Sequence, residues 1–377
     1  MSSFKIKNII RICRTWPTDN CRSIGLHAYN YTKFIDIPTE IFFKESFPNQ
    51  SPLYLENANF KIVKYKDFKF TAKNHNLLSY FFITFSKLIG ETIMFLKIIS
   101  CIKKNNIKDS IIHIHSANYM ISGTLISKLF KIPVILQLGG TDIYRIKSSI
   151  IHRKLIKLID YFICVDKKIS NEVQKIYKNA KTSIVGNSAD INTFKPGKKN
   201  QYIFTSIGNL RWQKNYSTML KAFNIFLKKH PNVILKIFGE GPDKCSLLEL
   251  INELNLQNNV ILEGYCDYEI LAKELSKSYI YLQSSVSEGL PKSLLEALSS
   301  GCPVVTTDAG GCKEISTNFG YCVKKNNPNQ FAKAMIELYE DKSYWKKCHD
   351  KCLKYRNNLS WENLTEKVFS VYKKFYY

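Results

Sequence analysis

The sequence lacks the motifs that mark most phosphate- and nucleotide-handling proteins. No G-x-x-x-x-G-K-[S/T] occurs, so a P-loop has no support. No G-x-G-x-x-G occurs either: Gly239-Glu240-Gly241 is followed by Lys244 where the third glycine would stand, which argues against hydride transfer from a dinucleotide. Asp-x-Asp is also missing, the nearest approach being Asp267-Tyr268-Glu269. A hard divalent cation needs such oxygen ligands, so no metal is expected in the chemistry. RNA-binding aromatic signatures and Cys/His fingers are absent. The eleven cysteines are scattered without Cys-x-x-Cys, which reads as reduced thiols in a cytosolic protein. Cys348, His349 and Cys352 lie close together but have no second ligand pair for zinc.

Long apolar runs are lacking too. The most apolar stretch, Leu77 to Ile102, is broken by Lys87, Glu91 and Lys97. It falls short of the roughly 20 apolar residues of a spanning helix and reads as a buried helix, or as one lying on a membrane surface. Lys5, Lys7, Arg11 and Arg14 interrupt the N-terminal segment, which reads as a first strand rather than a signal peptide.

Acidic residues are scarce where basic ones are plentiful: 55 Lys and Arg face 31 Asp and Glu over 377 residues. Residues 1–200 hold 32 and 13, a net +19, and the remainder 23 and 18, a net +5. Such asymmetry implies a polyanionic partner for the first half, nucleic acid or anionic membrane. With 45% hydrophobic residues and only 27 Gly and Pro together, the chain can build sizeable cores and is not a disordered one.

Short β-rich runs alternate with helical stretches. Strands are expected at Lys5–Cys13, Phe60–Tyr65, Ile111–His115, Pro133–Gln137, Tyr161–Val165 and Thr182–Val185. A second set is expected at Tyr202–Ile207, Val233–Phe238, Val260–Leu262, Tyr279–Leu282, Pro303–Thr306 and Tyr321–Val323. Continuous apolar runs such as Val134-Ile135-Leu136 fit strands covered on both faces, so the fold class is α/β with doubly wound parallel sheets. Lys195-Pro196-Gly197-Lys198-Lys199-Asn200 reads as the linker. The expected domains are residues 1–197 and 198–360, with an amphipathic helix at 361–377 packed back on the first. Ligands in such sheets bind beyond the carboxyl ends of the strands, which would place a site in a cleft where the two domains face each other.

The densest chemical signal is Ser287-Glu288-Gly289-Leu290-Pro291-Lys292-Ser293-Leu294-Leu295-Glu296, running on to Gly301-Cys302-Pro303. Pro291 suits the first turn of a helix, and Gly301 the position past its end. Free N–H groups at residues 289–293, the helix dipole and Lys292 would make an anion site that a diphosphate fits. Glu288 and Glu296 flank it, and a carboxylate can accept hydrogen bonds from vicinal sugar hydroxyls. One glutamate per sugar ring with phosphates between them describes a nucleotide-diphosphate sugar; an ordinary βα unit with a solvated Glu would carry the same residues.

On this element the sequence resembles retaining glycosyltransferases of family 4 (glycosyl transferases group 1), which have the two-domain GT-B fold. The resemblance continues through Asp308-Ala309-Gly310-Gly311-Cys312-Lys313-Glu314, Gly239-Glu240-Gly241-Pro242, Gly264-Tyr265, Asn187-Ser188-Ala189-Asp190 and, more loosely, Gly140-Thr141-Asp142. It implies that Glu296 holds the donor's ribose and Glu288 the transferred sugar. Backbone N–H groups around Gly289, Leu290 and Lys292 would contact the diphosphate. Lys214, within Gly208-Asn209-Leu210-Arg211-Trp212-Gln213-Lys214, matches the family's diphosphate-binding lysine and would stabilise charge on the leaving nucleotide. His115 matches an N-domain histidine near the reacting sugar, and Tyr265 and Cys266 fall where the nucleobase is held. Gly208, Arg211 and Gly25 complete the candidate donor contacts. The sequence departs from the family at Asn209, where Arg is usual; at Arg22-Ser23, where two glycines are usual; and at Gly139, where many members have His. His113 and His115 share one face of a strand, which also suits core packing or a metal pair.

The basic first half acquires a meaning in this context. Phe60 to Lys73 interleaves five lysines with aromatics, a composition for a solvated strand or for docking on anionic lipid. The resemblance implies a metal-independent retaining hexosyltransferase of cell-surface polysaccharide or glycolipid synthesis. It would use a UDP- or GDP-linked donor and a lipid-linked saccharide acceptor at the cytoplasmic membrane face, with no nucleic acid as partner. A sugar-nucleotide epimerase, a phosphorylase, or a scaffold with a degenerate site are the alternatives.

Overall fold

The computed structural model describes residues 7–13, 26–35, 37–44, 60–65, 92–104, 109–140 and 142–375. The chain divides into two compact units, residues 1–185 with 365–377, and residues 186–364.

Among the described residues the first unit has seven parallel strands: β1 (Asn8–Cys13), β2 (Thr39–Lys44), β3 (Phe60–Tyr65), β4 (Ser110–Ile114), β5 (Val134–Leu138), β6 (Tyr161–Cys164) and β7 (Thr182–Ile184), in the order β3-β2-β1-β4-β5-β6-β7. Every residue of β4 and β5 is buried, as expected for strands with helices on both faces. Three of the helices bear on the argument: α3 (Met120–Phe130), α4 (Asp142–Ser148) and α5 (Ile150–Leu155). A further helix spans residues 92–104, inside the apolar stretch read as helical; the rest of that stretch lies outside the described residues. Strand β2 is the one not expected. Only Ile41-Phe42-Phe43 is apolar there, between Pro38 and Lys44, and pairing with β1 and β3 supplies what the local pattern does not.

In the second unit six parallel strands run in the order β10-β9-β8-β11-β12-β13: β8 (Asn200–Ile207), β9 (Ile234–Phe238), β10 (Val260–Gly264), β11 (Ser278–Gln283), β12 (Val304–Thr307) and β13 (Gly320–Val323). Both sheets are doubly wound. The strand order reverses between β1 and β4 in one and between β8 and β11 in the other, and such switch points are where open α/β sheets bind ligands.

The boundaries differ from those expected at 197 and 360. Residues 186–197 belong with the second unit because they are tied into it. Phe194 is fully buried with its ring edge-on to Tyr268 at 4.7 Å, its carbonyl accepts from Ser299 Oγ at 2.8 Å, and Asn187 Nδ2 donates to the Leu290 carbonyl at 3.0 Å. At the other end α14 (Trp361–Lys373) buries Val368, Val371 and Tyr372, and residues from Thr365 onward count with the first unit.

Candidate active site

At the switch point of the second sheet, β8 ends at Ile207 and the chain turns through Gly208 into a 3-10 turn, Trp212–Lys214, closed by Asn215 in the left-handed region (φ 49°). The turn is pinned from β11's side: Ser284 Oγ donates to the carbonyls of Lys214 and Asn215, each at 2.9 Å, and Val286 N to that of Gln213 at 2.8 Å. A Cβ on Gly208 would stand 2.9 Å from Lys214 Cε, so the missing side chain is the space the lysine occupies. Lys214 Nζ donates to Glu288 Oε1 at 2.7 Å, and Ser285 Oγ donates to the same oxygen at 2.7 Å.

Glu288 is positioned by the glycine pair that follows β12. Gly310 has φ 58°, and a Cβ there would lie 2.0 Å from the Glu288 carbonyl oxygen; Gly311 N donates to the Gly289 carbonyl at 2.8 Å. Only a residue without Cβ lets this loop lie on the Glu288–Gly289 backbone.

Helix α10 (Lys292–Ser299) begins one residue later than expected. Pro291 is its N-cap (φ −70°, ψ 129°), with no side-chain acceptor for the first-turn N–H groups. Those groups are the orphan donors of the helix and carry its positive dipole end. Glu296 lies on the buried side of α10, 4% exposed; Tyr268 OH donates to its Oε1 at 2.6 Å and Lys292 Nζ stands 3.4 Å from the same oxygen. Lys292 also donates to Tyr268 OH at 2.9 Å and lies over its ring, 4.9 Å from the centroid. Burial, then the Glu296 charge, holds the Tyr268 phenol far above its ordinary range, so it remains a donor. Tyr281, wholly buried, donates to Ser293 Oγ at 2.8 Å and is raised likewise by burial, with both glutamates adding to the shift.

The structure therefore brings Lys214 to Glu288, and Lys292 to Glu296, around one helix N-terminus. Leu290 is held through its carbonyl by Asn187. Arg211 and Asn209 are exposed on the turn before Lys214, and Tyr265 is 66% exposed after β10. Cys266 is half-buried, its thiol raised by burial and then by Glu263, Asp267 and Glu274. Tyr268 and Ser285 were not singled out by sequence reasoning. Tyr268 stood inside the Asp267-Tyr268-Glu269 triplet, considered for its carboxylates alone.

At the switch point of the first sheet, His115 directly follows β4, its N–H donating to the Ile12 carbonyl at 2.9 Å. His113 and His115 do share a face, their rings stacked at 4.0 Å. Arg11, fully buried in β1, donates from Nη1 to Tyr372 OH at 3.0 Å and reaches His113 Nδ1 at 3.2 Å and His115 Nε2 at 3.5 Å. Tyr372 OH lies 2.6 Å from His113 Nδ1. Nη1 can only donate, so Arg11 ties the Tyr372 hydroxyl and both imidazoles into one buried cluster. Among the described residues no carboxylate pairs with Arg11, and none is a hydrogen-bond partner of its Nε or Nη2. Asp142 braces the loop carrying His115: its Oδ1 accepts from Ser116 Oγ and Ala117 N, each at 2.9 Å, and its Oδ2 from Gly139 N at 2.8 Å. Gly25 and Arg22-Ser23 lie outside the described residues. Among the described residues no group of three or more His, Cys, Asp or Glu is placed to hold a metal ion.

Two doubly wound parallel sheets of this order define the GT-B class of glycosyltransferase. The family model for glycosyl transferases group 1 matches residues 188–358, and that for glycosyl transferase 4-like proteins matches residues 58–165. The chain is similar to an uncharacterized glycosyltransferase of Methanocaldococcus jannaschii, 34% identical over 283 residues, which are 68% of this chain and 67% of that one. It is 24% identical over 276 residues to an Escherichia coli UDP-Gal:alpha-D-GlcNAc-diphosphoundecaprenol alpha-1,3-galactosyltransferase, covering 62% of this chain and 67% of the relative. It also matches the Bacillus subtilis poly(glycerol-phosphate) alpha-glucosyltransferase at 34% identity over 44% of this chain, but spans only 25% of that protein. Among solved structures, sucrose-phosphate synthase from Thermosynechococcus elongatus superposes with TM-score 0.78 at 15% identity, over 98% of this chain and 99% of that one. Anabaena HepE, in complex with UDP and glucose, gives 0.73 at 13% over 98% and 100%. The chain belongs to the group 1 glycosyl transferases.

Proposed function

We propose that this glycosyltransferase moves a sugar, with retention, from a UDP- or GDP-linked donor to a lipid-linked saccharide acceptor in cell-surface polysaccharide or glycolipid synthesis, at the cytoplasmic membrane face. The observation that carries the reading is the Lys214–Glu288 pair at the N-terminus of α10, a fixed cation and a hydroxyl acceptor beside orphan helix N–H groups. Lys214 and the first-turn N–H groups stabilise the negative charge that grows on the departing diphosphate. Glu288 accepts hydroxyls of the transferred sugar, and Glu296 those of the ribose. The leaving phosphate oxygen takes the proton of the acceptor hydroxyl on the face it departs from, so the acceptor oxygen bonds to the anomeric carbon without inversion. The lipid-linked acceptor is supported by the diphosphoundecaprenol in the E. coli relative's name and by the basic first half, which suits an anionic membrane.

A panel of UDP-, GDP- and ADP-sugars, assayed with lipid extracts and without any acceptor, tests the reading. Glu296→Ala is expected to abolish measurable transfer. Full transfer by Glu296→Ala, or turnover of the nucleotide sugar with no acceptor present, would point instead to another site or to an epimerase.

A further inference from the structure

The strongest unexplained surface lies on the first unit. Five of the large apolar side chains exposed to solvent fall between residues 125 and 151: Leu125 (48% exposed), Leu129 (60%), Tyr144 (60%), Ile150 (65%) and Ile151 (57%). They belong to α3, α4 and α5, and α5 packs on both of the others. Leu125 and Leu129 are one turn apart on the side of α3 opposite its buried residues Gly123 and Ser127. Ile150 and Ile151 open α5, whose N-cap Ser149 accepts from His152 N and whose His152 Nε2 lies 3.1 Å from the Ala117 carbonyl. The two isoleucines are thus displayed from a held turn.

Around them the charge has one sign. Residues 117–159 contain seven Lys and Arg (Lys128, Lys131, Arg145, Lys147, Arg153, Lys154, Lys157) against the single Asp142, which is bound to backbone and Ser116. Lys147 pairs with Glu172; the other six form no ion pair among the described residues. Scattered exposed leucines need no explanation, but isoleucines and leucines rimmed by lysine do. Protein–protein interfaces are depleted in Lys, whereas helices lying in a bilayer interface combine an apolar face with Lys and Arg, and Tyr suits the headgroup level. No helix among the described residues is long and apolar enough to cross a membrane.

We propose that the exposed face of α3, α4 and α5 is the surface by which this enzyme docks on an anionic lipid bilayer, Leu125, Leu129, Ile150 and Ile151 entering the interface and the flanking Lys and Arg facing lipid phosphates. The inference rests on the membrane reading above and assigns it to residues distinct from the Phe60–Lys73 segment.

Flotation of the full chain with vesicles of phosphatidylglycerol and phosphatidylcholine, against phosphatidylcholine alone, tests it. The wild type is expected to bind the anionic vesicles and to release with rising salt. Arg153→Gln with Lys154→Gln should weaken binding about fivefold per residue, and Ile150→Ser with Ile151→Ser about tenfold or more. Melting temperature and nucleotide-diphosphate affinity should be unchanged in both double variants. Wild-type binding that both double variants retain, while Lys61→Gln with Lys64→Gln loses it, would overturn this surface and leave the membrane reading standing. Absence of wild-type binding would overturn both. A concentration-dependent dimer abolished by the isoleucine substitutions would overturn the proposal by making a second copy of the chain the occupant.

Discussion

The carboxylates and cations of the donor site are arranged so that each has a partner before any substrate arrives. Tyr268 is the clearest example, since its hydroxyl both donates to Glu296 and accepts from Lys292. Tyr268→Phe should cost about 1.5–3 kcal/mol, the range for hydrogen bonds to charged groups, seen as a lower urea midpoint, and should weaken nucleotide binding severalfold. An unchanged midpoint would show that Glu296 is not held by this bond. Arg11 presents the opposite economy: a buried cation with no carboxylate among the described residues destabilises the fold. Arg11→Met is therefore expected to leave the melting temperature unchanged or higher while lowering transfer about tenfold or more, because the cation beside His115 is lost. A lower melting temperature with undiminished transfer would contradict this. Glu288 and Glu296 were legible in the sequence because a helix start and two acids stand within one short motif; Lys214, 74 residues away from Glu288, was legible only through the family resemblance. Arg11 and Tyr372 were not, since 361 residues separate them and nothing local marks either as a partner.

At the scale of elements, periodicity and apolar runs locate most strands to within a residue or two, helped by the full burial of β4, β5, β6, β11 and β12. They miss β2, which owes its existence to its neighbours on either side. Helix α10 was legible at both ends from Pro291 and Gly301, whose φ of 75° is the left-handed turn a glycine accepts. The role of α5 was not, because it depends on His152 reaching back to Ala117. Burial lowers the His152 imidazole below its ordinary value, outweighing the Ala117 bond that raises it. The unfolded chain therefore takes up this proton at a higher pH than the folded one. The contribution is fully present above the unfolded value of about 6.5 and is lost as pH falls through it toward the lower folded value. Urea midpoints measured from pH 8 to pH 5 should fall less steeply in His152→Gln than in the wild type. Parallel curves would mean that His152 does not couple protonation to folding.

For the whole molecule, the two-unit organisation followed from the alternation of strands and helices, but its seams did not. The Pro-Gly stretch at 195–200 looked like the linker, yet Phe194 fills a hole beside Tyr268 and fastens residues 186–197 to the second unit. Burial decides such a boundary, and a lone phenylalanine ahead of a charged loop does not declare it. The charge asymmetry has also become more specific. In the second unit the positive charge that matters is Lys214, Lys292 and one helix terminus; in the first it is a basic rim around exposed isoleucine and leucine. The central claim, that the β8–β11 switch point is the nucleotide-diphosphate site, is tested most directly by titrating UDP and GDP into the wild type, Lys214→Ala and Glu296→Ala in a calorimeter. One of the two nucleotides should bind the wild type and bind each variant about tenfold or more weakly. Equal affinity across all three proteins, or no binding of either nucleotide to the wild type, would contradict it.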